Sequence, residues 1–203
     1  AVVALAHGYR RPGRAARADE RGERRDYHNY RQAHANSRRR EAAVAGHMAV
    51  LLGADRPHVT VVDPARAACL YASAKAGRPV KVAETEPTVM AMLECHEPSL
   101  VAFRILSRIA DGFMTVDEAD ALSVMRRLAD PVAGDPPVVA GESGGVGLAG
   151  AIAVLRDPEL ASRIGLGANA RLLVINTEGA TDPALYARII GRTPEAVLEG
   201  VNA

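Results

Sequence analysis

The sequence predicts an α/β fold, a mainly parallel sheet with flanking helices. Three observations carry this reading. Short β-branched runs alternate with helical ones from about residue 42 onward. The runs VTVVDP (59–64) and RLLVINTEG (171–179) have the continuous apolar character of strands covered on both faces. The stretches between them are long enough to hold the crossover helices that parallel neighbours require.

Taken in order, AAVAGHMAVLLGA (42–54) reads as a small-residue helix ending at Gly53. VTVVDP is a strand stopped by Pro64, and ARAACLYASAKAG (65–77) is a helix with Gly77 as its stop. PVKV (79–82) reads as a brief strand. SLVAFRILSRIADGF (99–113) and VDEADALSVMRRLA (116–129) are amphipathic helices separated by Gly112 and a short FMTV segment. The second of them opens on Asp117 and Glu118, where negative charge suits the helix dipole. PPVVAGESGG (136–145) is a strand and glycine turn, continued by a helix in GVGLAGAIAVLRD (145–157). RLLVINTEG reads as the clearest buried strand, and DPALYARIIG (182–191) closes as a helix.

Composition narrows the class. The length of 203 residues suits one domain, and 48% hydrophobic residues suffice for a core. With 3% aromatics and no tryptophan, Ala, Val and Leu must do the packing. No apolar run approaches the ~20 residues of a membrane span, and no segment has the pattern of a signal peptide. The expectation is a soluble, cytoplasmic protein without a membrane partner. Cys69 and Cys95 are too few for a disulfide framework and are not spaced as a zinc or redox motif, so no metal site is expected.

The net charge of +1 hides an asymmetry. Residues 1–41 are crowded with arginine, as in RRPGRAAR and ERRDYHNYR, while lysine is confined to Lys75 and Lys81. AVVALAHG at the start is too short to assign. The Arg-rich text lacks apolar periodicity and reads as a disordered segment. It also lacks the aromatic interleaving of a single-strand platform, so no nucleic-acid partner is expected.

The segment Val138–Gly150, VVAGESGGVGLAG, admits three readings. Gly141–Glu142–Ser143–Gly144–Gly145 fits G-x-S-x-G, a nucleophile elbow, but no histidine follows His96 to serve as base. Gly145–Val146–Gly147–Leu148–Ala149–Gly150 fits the dinucleotide fingerprint, although the acidic residue expected about 20 residues on is poorly placed. The glycines equally suit close helix–strand packing. A non-catalytic nucleotide- or anion-binding module built on 141–150 is the alternative this leaves open.

The third reading joins the turn to other segments. GESGGVG resembles the E-[PS]-[SG]-G-A turn of fold-type II pyridoxal phosphate enzymes, the tryptophan synthase beta-like group. VINTEGATDP, EPTVMAMLECHEPS, VVDPARAACLY and MRRLADPVAGDPPVVAGESGG resemble segments of the diaminopropionate ammonia-lyases, in the same order. The resemblance covers residues 42–191 and implies that 42–203 is the C-terminal part of such a lyase domain.

The resemblance also implies a cofactor, pyridoxal 5'-phosphate, and a reaction, α,β-elimination of 2,3-diaminopropionate to pyruvate and ammonia. The substrate it implies is a small amino acid, and the assembly a homodimer. Cofactor-binding residues carried over are Glu142, Ser143 and Gly144 in the turn. Asn176 or Thr177 matches the neutral group facing the ring nitrogen.

No catalytic residue is carried over. The family's Schiff-base lysine lies in its N-terminal half, and neither Lys75 nor Lys81 matches its motif. These residues alone are therefore expected to be inactive, without covalent attachment. Where the family's phosphate loop belongs stands SRRREAAVAG, which is the kind of text a shifted reading frame in GC-rich DNA produces. Met92 and His96 replace family glycines, and Cys69 and Cys95 match family cysteines that the resemblance brings within bridging distance, roughly 7 Å between Cα atoms.

Overall fold

The computed structural model describes residues 2–7, 36–132 and 134–199. Its elements are β1 (Val2–His7), α1 (Asn36–Leu52), β2 (His58–Pro64), α2 (Cys69–Ala76), α3 (Leu100–Ile109), β3 (Gly112–Val116), α4 (Glu118–Ala129), α5 (Val146–Leu155), α6 (Pro158–Arg163), β4 (Arg171–Val174), α7 (Pro183–Ile190) and α8 (Pro194–Glu199). β1 and the start of α1 fall within residues 1–41. The reading of residues 8–35 as disordered or out of frame lies outside the described residues.

The strands form one sheet in the order β3-β2-β1-β4. β2 and β3 pair in parallel, from Thr60 opposite Gly112 to Pro64 opposite Val116. β1 runs antiparallel to both its neighbours. It follows that β2, β3 and β4 share one direction and β1 alone is reversed. The FMTV segment, read as a linker, is most of β3, so the helix before it stops at Ile109 rather than Phe113.

Helices cover both faces of the sheet because β2 is apolar on both. Val59 and Val61 pack with Leu70, Ala102, Phe103 and Leu106 from α2 and α3. Val62 packs on the other side with Val124, Val146 and Ala149 from α4 and α5. A near-continuous apolar strand between two helical layers is the expected solution for such a sequence. Cys69 and Cys95 both belong to the first cluster, and neither is in a disulfide.

The helix ends follow local chemistry. Gly77 and Gly191 adopt left-handed backbone at the ends of α2 and α7. Asp117 and Asp120 form a reciprocal capping box on α4, and Asp182 caps α7 ahead of Pro183. The N-terminus of α2 has no side chain of its own there. Asp63, fully buried at the end of β2, accepts from the N–H groups of Leu70 and Tyr71, each at 2.9 Å. Before β2, Arg56 and Asp111 form a buried pair at 2.8 and 3.2 Å, and Asp111 also accepts from Val59 N–H.

Three expected strands differ. PVKV is not in the sheet; Val80 N–H goes to Ser73 Oγ and Val82 N–H to the His96 carbonyl. Residues 136–140 are likewise extended without a ladder partner, with Val138 N–H bonded to the Leu128 carbonyl. β4 forms, but it is not buried: Leu172 and Leu173 are 36% and 45% exposed. Among the described strands it is the last of the sheet, so there its apolar residues have no strand neighbour on one side.

α5 approaches β2 closely at Gly150. A Cβ there would lie 2.6 Å from Val62 Cγ2 and 3.2 Å from Val62 Cγ1, well inside van der Waals contact. Glycine to alanine in a helix normally gains about 1 kcal/mol. Overpacking a fixed strand side chain costs about 1–3 kcal/mol. Gly150→Ala is therefore expected to destabilise the protein by up to about 2 kcal/mol net, read from the midpoint of urea unfolding. A midpoint that rises would show that α5 moves freely over β2.

Candidate functional site

The ends of β2, β3 and β4 that lie downstream in the chain point the same way, and three loops meet there. After β2, Arg66 donates to the Pro87 carbonyl at 2.8 Å and pairs with Glu86 at 3.0 Å. After β3, Glu118 accepts from Thr88 Oγ1 at 2.7 Å and from Val89 N–H at 2.6 Å. Met90 and Leu93 then bury themselves in the core. The segment 86–93 is thereby held against two strand ends. Ligand sites of open α/β sheets lie outside the carboxyl ends of strands.

The glycine turn 141–145 and the segment after β4 close the same region. Gly141 N–H donates to the Glu178 carbonyl at 3.0 Å. Ser143 N–H donates to Glu178 Oε2 at 2.8 Å, and Thr181 Oγ1 donates to Glu178 Oε1 at 2.9 Å. Asn176 accepts from Glu178 N–H at 3.2 Å and donates to the Val139 carbonyl at 3.3 Å. A Cβ at Gly144 would overlap Asn176 Oδ1 and the Glu178 carbonyl, so the two backbones meet only because that position is glycine. Met92 N–H donates to Ser143 Oγ at 3.2 Å, joining the 86–93 segment to the turn.

The structure brings four of the five residues singled out as cofactor-binding into contact: Glu142, Ser143 and Gly144 sit in the turn and Asn176 sits against it, while Thr177 lies between Asn176 and the turn-bonded Glu178. Glu142 and Ser143 are buried, Asn176 is exposed and Thr177 is half-buried. Asn176 spends its amide on backbone groups. The sequence singles out Glu178 only as a misplaced acid of the dinucleotide fingerprint, whereas in the structure it joins the two halves. Its only sequence signal is an acid placed between a β-strand and a Thr–Asp turn.

The competing readings of the turn fare differently. Ser143 is 2% exposed and its Oγ already accepts a backbone N–H, which does not describe a presented nucleophile. Val146 to Gly150 lie inside α5, where Gly150 packs on Val62, while Gly145 packs on Val124, so these glycines serve packing. An anion at the turn would compete with the Glu178 carboxylate for Ser143 N–H, which argues against the anion-binding module.

Among the described residues no three His, Cys, Asp or Glu side chains form a group that could hold a metal. His96 packs with Nε2 3.7 Å from Glu94, and its Nδ1 is buried without a protein partner. Lys75 lies over the Tyr71 ring at 5.7 Å and Lys81 is exposed, and neither bonds the turn. No described helix is long and apolar enough to cross a membrane.

Electrostatics single out Glu142. Burial pushes its carboxyl above the ordinary range, a hydrogen bond from its own backbone opposes this, and the charges of Glu178 and Asp182 raise it further. A raised folded-state value stabilises the protein fully below the ordinary carboxyl range, and that contribution is lost as pH rises through the folded value. Glu142→Gln is therefore expected to flatten the decline of stability above the ordinary carboxyl range and to gain stability at neutral pH. Urea midpoints measured from pH 4 to pH 8 check this; parallel curves for both proteins would contradict it.

Comparison with known proteins agrees with this geometry. The family described as "Pyridoxal-phosphate dependent enzyme" matches residues 42–178. Diaminopropionate ammonia-lyase of Escherichia coli K12 is 34% identical over 157 residues, covering 76% of this chain and 39% of the relative. The enzyme of that name from Salmonella typhimurium LT2 is 34% identical over 154 residues, covering 73% and 38%. The crystal structure of the E. coli lyase in complex with D-serine superposes with a TM-score of 0.65 at 32% identity, over 77% of this chain and 39% of that one. The holo form of the same enzyme gives 0.64 at 32%, over 73% and 38%. This chain spans about two fifths of the length of the curated relatives it matches. It belongs to the pyridoxal-phosphate-dependent enzyme family.

Proposed function

We propose that these residues form the ring-nitrogen side of the cofactor site of a pyridoxal-phosphate-dependent ammonia-lyase acting on 2,3-diaminopropionate. The observation that carries this reading is the joining of turn 141–145 to residues 176–178 within a chain of this family. The groups present suit the cofactor's pyridine ring. Glu142 is buried and held toward its neutral form, and Thr177 offers a hydroxyl that bonds no other group among the described residues. A neutral hydroxyl facing a ring nitrogen leaves that nitrogen without a carboxylate to fix a proton on it.

When bound, pyridoxal phosphate supplies the electron sink for carbanion formation at the substrate Cα. This chain's part is to hold the ring. Glu142, Ser143 and Gly144 would line one side of it, through a turn held by the bonds of Gly141 and Ser143 to Glu178. Thr177 would face the ring nitrogen, with Asn176 bonded to the backbone groups of Val139 and Glu178 beside it. Met92, where the family has glycine, is 48% exposed beside Ser143 and narrows the space for a substrate side chain. The substrate is a small amino acid and the assembly a homodimer.

Covalent attachment is not expected from these 203 residues, and neither is elimination, because no lysine is bonded into the site. Equilibrium dialysis with pyridoxal phosphate is expected to show saturable binding. Borohydride treatment followed by mass spectrometry should then leave Lys75 and Lys81 unmodified at stoichiometric cofactor, and 2,3-diaminopropionate should yield no pyruvate. Absence of saturable binding sinks the site assignment. Stoichiometric pyridoxyl-lysine with pyruvate release sinks the claim of inactivity.

A further inference from the structure

Glu178 hydrogen-bonds to residues on both halves of the candidate site. Its backbone carbonyl takes Gly141 N–H and its backbone N–H goes to Asn176 Oδ1. Its carboxylate takes Ser143 N–H on one oxygen and the Thr181 hydroxyl on the other. One residue thus bonds both halves of the site, and it is only 9% exposed. A Cβ at Gly141 would run into the Glu178 side chain at 2.9 Å, so the turn is shaped around this carboxylate.

We propose that Glu178 is a positioning residue of the site, whose carboxylate fixes turn 141–145 relative to Thr177 so that both address one ligand ring. This rests on the cofactor-site reading above. Two features separate the role from generic stability. Ser143 N–H is the only turn donor whose described partner is a charged side chain, and charge-assisted bonds are roughly twice as strong as neutral ones. The charge is also felt at Glu142: the charged groups acting on that carboxyl are Glu178 and Asp182, both from the segment after β4.

The test uses the full chain and three proteins: wild type, Glu178→Gln and Glu178→Ala. Glu178→Gln keeps the shape and an acceptor for Ser143 N–H but removes the charge. The carboxyl titration of Glu142, followed by carbon NMR, is expected to shift downward in Glu178→Gln while circular dichroism stays unchanged. Ser143 amide exchange should quicken in Glu178→Ala and be largely rescued in Glu178→Gln. Pyridoxal phosphate affinity should fall about tenfold in Glu178→Ala and about threefold or less in Glu178→Gln.

Unmoved Glu142 titration in Glu178→Gln, or unchanged Ser143 exchange and cofactor affinity in a folded Glu178→Ala, overturns the proposal. Should Glu178→Ala fail to fold, the Glu178→Gln titration decides alone. If wild type binds no cofactor, the cofactor-site reading fails, and the titration and exchange results still decide whether Glu178 positions the turn.

Discussion

The close meeting of two backbones at Gly144 is the constraint on which the site depends. A turn before α5 and the segment after β4 come together there with no room for a Cβ. Glycine makes the approach sterically possible, but the approach also buries polar groups that water would otherwise satisfy. Each orphaned donor or acceptor would cost about 1–3 kcal/mol. Glu178 removes that cost, since it accepts Gly141 and Ser143 N–H groups and places its own N–H on Asn176. Burying its carboxylate is costly in turn, and the two charge-assisted or hydroxyl bonds to its oxygens offset the loss of water. The neighbouring Glu142 has only its own backbone to set against burial, so it is the member pushed toward the neutral form.

Sheet direction puts these parts in one place. β2, β3 and β4 end on the same side, and Arg66, Glu118 and Asn176 each follow one of those ends. Arg66 and Glu118 fix the segment 86–90, and Met92 carries it on to Ser143. The reversed strand β1 supplies the ladder that keeps β4 in register with β2 without itself contributing an end to that side. Here layer architecture leads directly to site geometry: α4 starts directly after β3 and α5 directly after the glycine turn, so both helix N-termini stand at the site.

What the sequence made legible was set by how local the cause is. β2 could be read because it is apolar on both faces, and the ends of α2 and α7 because Gly77 and Gly191 take backbone conformations that other residues resist. The glycine turn could be read for similar reasons. PVKV and PPVVA, though strand-like in composition, have backbone partners on Ser73, His96 and Leu128, residues that no period of two can reveal. β3 was hidden because its five residues follow a helix directly and its partner lies some fifty residues upstream. β4 was recognised as a strand but not as an edge, since apolar content reports a preference for burial and not the order of strands. Glu178 is the strongest case, for its partners at positions 141 and 143 are visible only once the chain is folded.

β4 ties the exposed edge to the chemistry. Edge strands with apolar residues and open backbone groups are the places where sheets acquire another strand. Leu172 and Leu173 lie on such an edge, and only a few residues beyond them the chain reaches Asn176, Thr177 and Glu178. Thr177 is half-buried and unclaimed, whereas Asn176 and Glu178 on either side of it are each held by two or more hydrogen bonds. The geometry of the hydroxyl is consequently set by its neighbours and not by contacts of its own.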